Sequence, residues 1–210
     1  VSMGFGYPLG VDLPGEKRGM IPNDKYYDKN YNGSWNGLTI ISIAIGQGEV
    51  TATPLQIANL GATIANRGYF ITPHVVKEVE DESLDSLYTT KRYTKVRKEH
   101  YETVVQGMRA AVTGGTCRAA NLPGLDVCGK TGTAQNRGKD HSAFMGFAPM
   151  NDPKIAVAVY VENGGWGATY GVPIGALIME KYLTGTLSPQ SEMKASDIQM
   201  RRIDYGIHER

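Results

Sequence analysis

Apolar residues recur with helical spacing at three places in this chain. Leu55, Ile57, Leu60, Ile64 and Ala65 fall near one helix face. Thr53 stands where an N-cap is needed, Pro54 suits the first helical position, Gln56 completes a capping box, and Gly68 is the stop. Tyr101, Val104, Val105, Met108 and Val112 form the stripe of a second predicted helix over 99–113, ended by Gly114 and Gly115. A third amphipathic helix is predicted over 172–183, with Pro173 in its first turn. Between the last two helices the pattern changes. Three apolar runs, at about 126–135, 142–149 and 154–162, read as strands. Their separators are short and turn-like, which favours an antiparallel meander. The predicted class is α+β, an antiparallel sheet flanked by helices. Residues 1–37, rich in Gly, Pro, Asn and Tyr, read as irregular loop. Residues 69–79 look extended and lead into an acidic, turn-rich stretch at 80–85, as a strand pair or a surface excursion.

From Thr184 the chain is charged and has no clear core signal, so 1–183 is read as one domain and 184–210 as a charged tail. No internal repeat or linker divides the domain. With 41% hydrophobic and 20% charged residues among 210, the chain can bury a real core. A net charge of +1 gives no electrostatic case for nucleic acid or an anionic membrane surface. The longest apolar runs are far short of a ~20-residue membrane span. No signal peptide is visible and the chain opens on Val1, so it reads as a piece of something longer. Cys117 and Cys128 lack metal-ligand spacing. They are either two partly buried free thiols or one disulfide between a helix exit and a strand. His74, His100, His141 and His208 are scattered without ligand spacing, so no metal and no cofactor is expected.

The chemistry concentrates in Lys130-Thr131-Gly132-Thr133, within the first of the three predicted strands. A cation, two hydroxyls and an open backbone within four residues suit a small anionic group beside a carbonyl. In a strand, period two puts Lys130 on the face opposite Thr131 and Thr133. Gly132 lets a ligand approach the backbone.

Lys-Thr-Gly is also the third signature of the penicillin-recognising serine enzymes. Its neighbourhood makes the likeness specific. Ile45-Gly46-Gln47-Gly48 followed by Thr51-Ala52-Thr53-Pro54-Leu55-Gln56 resembles the segment between the second and third motifs of class B penicillin-binding proteins. Gly10-Val11-Asp12-Leu13-Pro14-Gly15-Glu16 resembles the stretch just after their second motif. Phe144-Met145-Gly146-Phe147-Ala148-Pro149 resembles the strand that follows Lys-Thr-Gly. These matches run in family order from residue 4 to about 183, most like the penicillin-binding protein 2 (elongation) type.

The resemblance implies a carboxy-terminal part of a serine transpeptidase domain with the beta-lactamase-like fold. It implies that the Thr131 and Thr133 hydroxyls hold the terminal carboxylate of a D-alanyl-D-alanine stem peptide or of a beta-lactam. Gly132 would belong to the same substrate-binding edge. The Thr133 N–H would be one of two oxyanion donors, and Lys130 would steady the serine hydroxyl network. The nucleophile, its lysine and the second-motif serine are not in this chain. Implied partners are the remainder of the same domain and cell-wall elongation proteins. The implied place is the extracytoplasmic face of the bacterial inner membrane, with the anchor outside this chain. The family sheet has five strands. The two missing ones would pair beside 154–162, so the piece alone is expected to self-associate or to be ordered through the rest of its domain.

Other readings compete. Residues 124–131 satisfy the P-loop pattern G-x-x-x-x-G-K-[ST], and Glu162, ending an apolar run, imitates a Walker B acid. A P-loop needs a buried strand before the first glycine and a helix opening at the lysine. The polar, irregular 118–123 and the glycine-containing 131–140 offer neither. A non-enzymatic binding or scaffold module on the same fold is the other alternative. Ser191-Glu192-Met193-Lys194 and Ser34-Trp35-Asn36 spell two further motifs of the serine enzymes, but the first lies in the tail and the second in a loop out of family order. Both are read as chance.

Overall fold

The computed structural model describes residues 1–203; His208 and the end of the tail, 204–210, lie outside the described residues. Within residues 1–37, read as loop, a two-turn helix α1 (Asp24–Asn30) forms under an Asn23 cap, and buries Tyr27. A short α2 (Gly37–Ile40) with an Asn36 capping box runs into a 3₁₀ turn at Ile41–Ile45. Helix α3 (Pro54–Ala65) starts where the sequence places it: Thr53 Oγ1 accepts from Gln56 N, and Gln56 Oε1 accepts from Thr53 N. The Gln56 amide is fully buried and also donates to the carbonyls of Tyr7 and Arg18. One side chain therefore caps the helix and ties down the amino-terminal segment.

Strand β1 (Tyr69–Phe70) pairs antiparallel with β2 (Arg92–Tyr93), which resolves the 69–93 region as a small strand pair with an excursion between. Asp12 accepts from the N–H groups of Val75 and Val76, and Glu16 accepts from those of Leu9, Gly10 and Val11. The acidic residues of the Gly10–Glu16 run therefore serve loop backbone.

Helix α4 (Lys98–Thr113) buries Tyr101, Val105, Met108 and Val112 of the predicted stripe, whereas Val104 is exposed. Then come β3 (Cys128–Ala134), β4 (His141–Ala148) and β5 (Ile155–Val161), an antiparallel meander in the order β3-β4-β5. Helix α5 (Gly171–Thr184) crosses one face, and α6 (Pro189–Met200) occupies part of the stretch read as tail.

Period two along the strands divides the core in two. Phe144, Ala148 and Val157 join Val172, Ala176 and Met179 of α5 in one cluster. Cys128 and Phe147 join Ile64 of α3 and Tyr101, Val105 and Met108 of α4 in the other. An added Cβ at Gly61 of α3 would stand 3.3 Å from Met145 Cγ, so α3 lies close on its face.

The two cysteines belong to different clusters. Cys117 packs with the α5 face, Cys128 with the α3/α4 face, and both are buried free thiols. The disulfide alternative is thereby corrected. Burial pushes the Cys128 thiol up to about 11 and raises that of Cys117. Both stay protonated at neutral pH and shielded. A thiol-reactive dye should label neither in the native protein and both after denaturation. Rapid native labelling of either would contradict the packing.

Candidate active site

The Lys-Thr-Gly run sits in the middle of β3, which among the described residues has β4 as its only sheet neighbour. Lys130 and Thr133 are exposed, Thr131 and Gly132 half-buried. Thr131 lies opposite Phe144, whose ring belongs to the α5 cluster, and Lys130 opposite Met145, which packs with the α3/α4 cluster. Alternation of the two hydroxyls against the lysine is therefore as period two requires.

The backbone of this strand offers a free edge. Gln47 Nε2 donates to the Thr133 carbonyl at 3.1 Å, and Lys130 Nζ donates to the Thr131 carbonyl at 2.9 Å. Both carbonyls point away from β4. In an antiparallel ladder, residues alternate between those that exchange N–H···O bonds with their opposite number and those that do not. Thr131 and Thr133 belong to the second set, so their N–H groups also face outward. The result is a row of backbone donors and acceptors beside two hydroxyls and an ammonium.

Three elements converge on this edge. Gly46 and Gly48 have φ of 76° and 70°, a left-handed geometry that brings Gln47 to the Thr133 carbonyl. Thr116, after the end of α4, shares a 2.8 Å hydroxyl–hydroxyl bond with Thr131. The loop 162–170 lies over the strand: Gly167 N donates to Thr133 Oγ1 at 3.4 Å. An added Cβ at Gly167 would stand 2.5 Å from the carbonyl oxygens of Gly132 and Ala143, so only glycine fits there. Ser142, fully buried opposite Thr133, locks this loop by donating to the Trp166 carbonyl at 2.8 Å and accepting from Gly171 N at 3.0 Å. Gln47 lies in the Ile45–Gly48 run that carries the family likeness, though nothing in that run marks it as a partner of Thr133; Thr116, Ser142 and Gly167 have no motif that points to them.

Where the sequence permits a P-loop, the structure places Lys130 within a strand that continues to Ala134. No helix opens at the lysine, so no helix N–H groups converge on a phosphate there, and the nucleotide reading is corrected. Ser191 is buried in the first turn of α6, which agrees with a chance match to Ser-x-x-Lys. Among the described residues no group of three or more His, Cys, Asp or Glu is placed to hold a metal ion.

The sequence profile of the penicillin binding protein transpeptidase domain matches residues 2–182. The chain belongs to the penicillin-binding protein transpeptidase family. Within that family its relatives are of the class B, penicillin-binding protein 2 type. It is 35% identical over 195 residues to the peptidoglycan D,D-transpeptidase MrdA of Acinetobacter baumannii, covering 80% of this chain and 28% of that protein. To MrdA of Haemophilus influenzae it is 32% identical over 223 residues, covering 96% of this chain and 34% of that protein. The fold superposes on Pseudomonas aeruginosa PBP2 in complex with WCK 5153 with a TM-score of 0.75 at 34% identity, over 90% of this chain and 44% of that one. On Helicobacter pylori PBP2 in its complex with MreC the TM-score is 0.73 at 29% identity, over 89% and 35%. The chain spans about a third of the length of these curated relatives.

Proposed function

We propose that this chain is the carboxy-terminal part of a peptidoglycan D,D-transpeptidase domain, and that β3 is its substrate-orienting strand. In the complete enzyme a serine from outside this chain attacks the penultimate D-alanine carbonyl of a stem peptide. Terminal D-alanine leaves, and the acyl group passes from the serine to a neighbouring peptide amine. The observation that carries this reading is the free edge at Thr131 and Thr133. Their hydroxyls seat the substrate carboxylate, the outward Thr133 N–H serves as one oxyanion donor, Gly132 lets the ligand lie close, and Lys130 adds positive potential. A beta-lactam takes the same seat.

Partners follow from the family reading. The remainder of the domain covers the exposed apolar residues Leu38, Ile41 and Ile45 and pairs with β5, whose second edge has no strand among the described residues. Elongation proteins are further candidates, given that a Helicobacter pylori PBP2 was solved with MreC. The proposed place is the bacterial cell envelope, at the extracytoplasmic face of the inner membrane. No described helix is long and apolar enough to cross a membrane.

A fluorescent penicillin tests the reading. The complete enzyme, with its upstream Ser-x-x-Lys, should be acylated stoichiometrically, and the 210-residue chain alone should not react. Mass spectrometry placing a penicilloyl adduct on Ser191 would overturn the assignment of the nucleophile. A complete protein that takes up no label would overturn the transpeptidase reading itself.

A further inference from the structure

Helix α6 lies beyond residues 2–182, the part matched to the transpeptidase profile. Its sequence has no apolar stripe, and what holds it is a polar contact at each end. At the start, Ser188 N donates to Oε1 of Glu180, a buried carboxylate on α5, and the Ser188 hydroxyl caps the helix by accepting from Ser191 N. At the finish, Arg201 is held by Asp197, which takes its Nε at 3.1 Å and its Nη2 at 2.6 Å. That leaves Nη1, which donates to the Thr169 carbonyl at 3.0 Å, while the guanidinium stands 5.5 Å from the Tyr170 ring centroid.

Thr169 belongs to the loop that covers the Lys-Thr-Gly strand. From Arg201 a short chain of bonds leads to the proposed site. Arg201 holds the Thr169 carbonyl, Thr169 N donates to the Trp166 carbonyl at 2.8 Å, and the next residue, Gly167, donates to Thr133 Oγ1. The far end of the loop is fixed independently, by Asn163 N on His141 Nδ1 and Gly165 N on the Asp140 carbonyl. Between α6 and the loop, Ala119, Ala168, Pro173 and Ile198 border a cavity of about 310 Å³. Apolar packing there is incomplete, so the polar contact of Arg201 is what couples helix to loop.

We propose that α6 is a strap on the 162–170 loop, and that Arg201 is a positioning residue for the Thr133 hydroxyl. Its consequence for substrate rests on the transpeptidase reading; its consequence for the loop does not. With the strap in place, Gly167 fixes the direction of the Thr133 hydroxyl lone pairs and leaves its proton for an incoming carboxylate. Trp166, 74% exposed, belongs to the same loop. Loss of the strap removes the hold on Thr169 and leaves the half of the loop after Gly165 to the Ser142 bonds at Trp166 and Gly171 and the Val172 N bond to the Gly167 carbonyl.

The test uses the complete enzyme carrying Arg201→Ala, Arg201→Lys or, as a control on the same helix, Met193→Ala, whose side chain is exposed. Amide exchange is followed across 162–171, and acylation by fluorescent penicillin is resolved into initial binding and the covalent step. Arg201→Ala should speed exchange across 166–169 by about tenfold and weaken initial binding by a similar factor, as loss of one charged hydrogen bond allows. The covalent step should change little. Arg201→Lys, which keeps a donor to Thr169, should recover part of both effects, and Met193→Ala should show neither. Unchanged exchange in Arg201→Ala, or an equal change in Met193→Ala, would overturn the strap. Faster exchange with unchanged binding would overturn the role at Thr133. If the unmodified enzyme takes no label, the transpeptidase reading falls while the exchange arm still judges the strap.

Discussion

Phe144→Ala will destabilise the protein by roughly 3–5 kcal/mol and lower its melting temperature by on the order of ten degrees. Phe144 is 1% exposed and belongs to the cluster between the sheet and α5. Its ring sits in a hole made of missing side chains. A Cβ at Gly129 would stand 2.5 Å from the ring and one at Gly146 2.6 Å, while Gly175 of α5 admits the ring from the opposite side. Because these glycines have no side chains to relax inward, truncation leaves a cavity that the surroundings cannot fill. Phe144→Leu should therefore recover only part of the loss. Thermal unfolding of the two variants checks this. A drop of only a degree or two for Phe144→Ala would mean that α5 does not depend on this contact.

The elements that sequence reading places well are those whose local signals agree with their tertiary role. Helix α3 has its cap, its proline and its capping-box glutamine within four residues, and the structure makes both bonds of the box. The meander shows itself because the turns between its strands are short and polar. Helix α1 escapes notice for the converse reason: among seven residues it buries only Tyr27, and the tyrosine hydroxyl is held by Glu49 from outside the helix. Helix α6 is hidden in the same way. Its stabilising partner, Glu180, lies on α5, and its own face carries too little apolar surface to display a period.

The site divides along the same line. Lys130, Thr131, Gly132 and Thr133 are contiguous, so a motif and strand periodicity together find them. Their supports are not contiguous. Gln47 reaches Thr133 from 86 residues away, Gly167 from 34, and Thr116 reaches Thr131 from 15. Contacts of that kind are set by how α4, α5 and the sheet stack, and no local pattern encodes them. The outward direction of the Thr133 N–H is likewise a property of ladder register, since a shift by one residue would turn that group into the sheet.

That direction gives the prediction with the largest functional effect. In the complete enzyme, Thr133→Pro should reduce acylation by penicillin by about 10²–10³-fold, the usual result of removing one oxyanion donor. Proline normally damages a strand by taking away a ladder bond, but it is tolerated on an edge strand when the lost N–H faces away from the sheet. The Thr133 carbonyl accepts from Gln47 across that outer edge, so the N–H beside it makes no bond to β4. The substitution also removes the hydroxyl, and Thr133→Ala isolates that part. Alanine keeps the N–H and loses the bond from Gly167 and the contact to the carboxylate, for which about tenfold is expected. The difference between the two variants measures the backbone donor. Thermal unfolding alongside separates a damaged strand from a lost donor, because the melting temperature of Thr133→Pro should stay close to that of Thr133→Ala. Equal acylation rates in the two variants would show that the Thr133 N–H plays no part in the reaction.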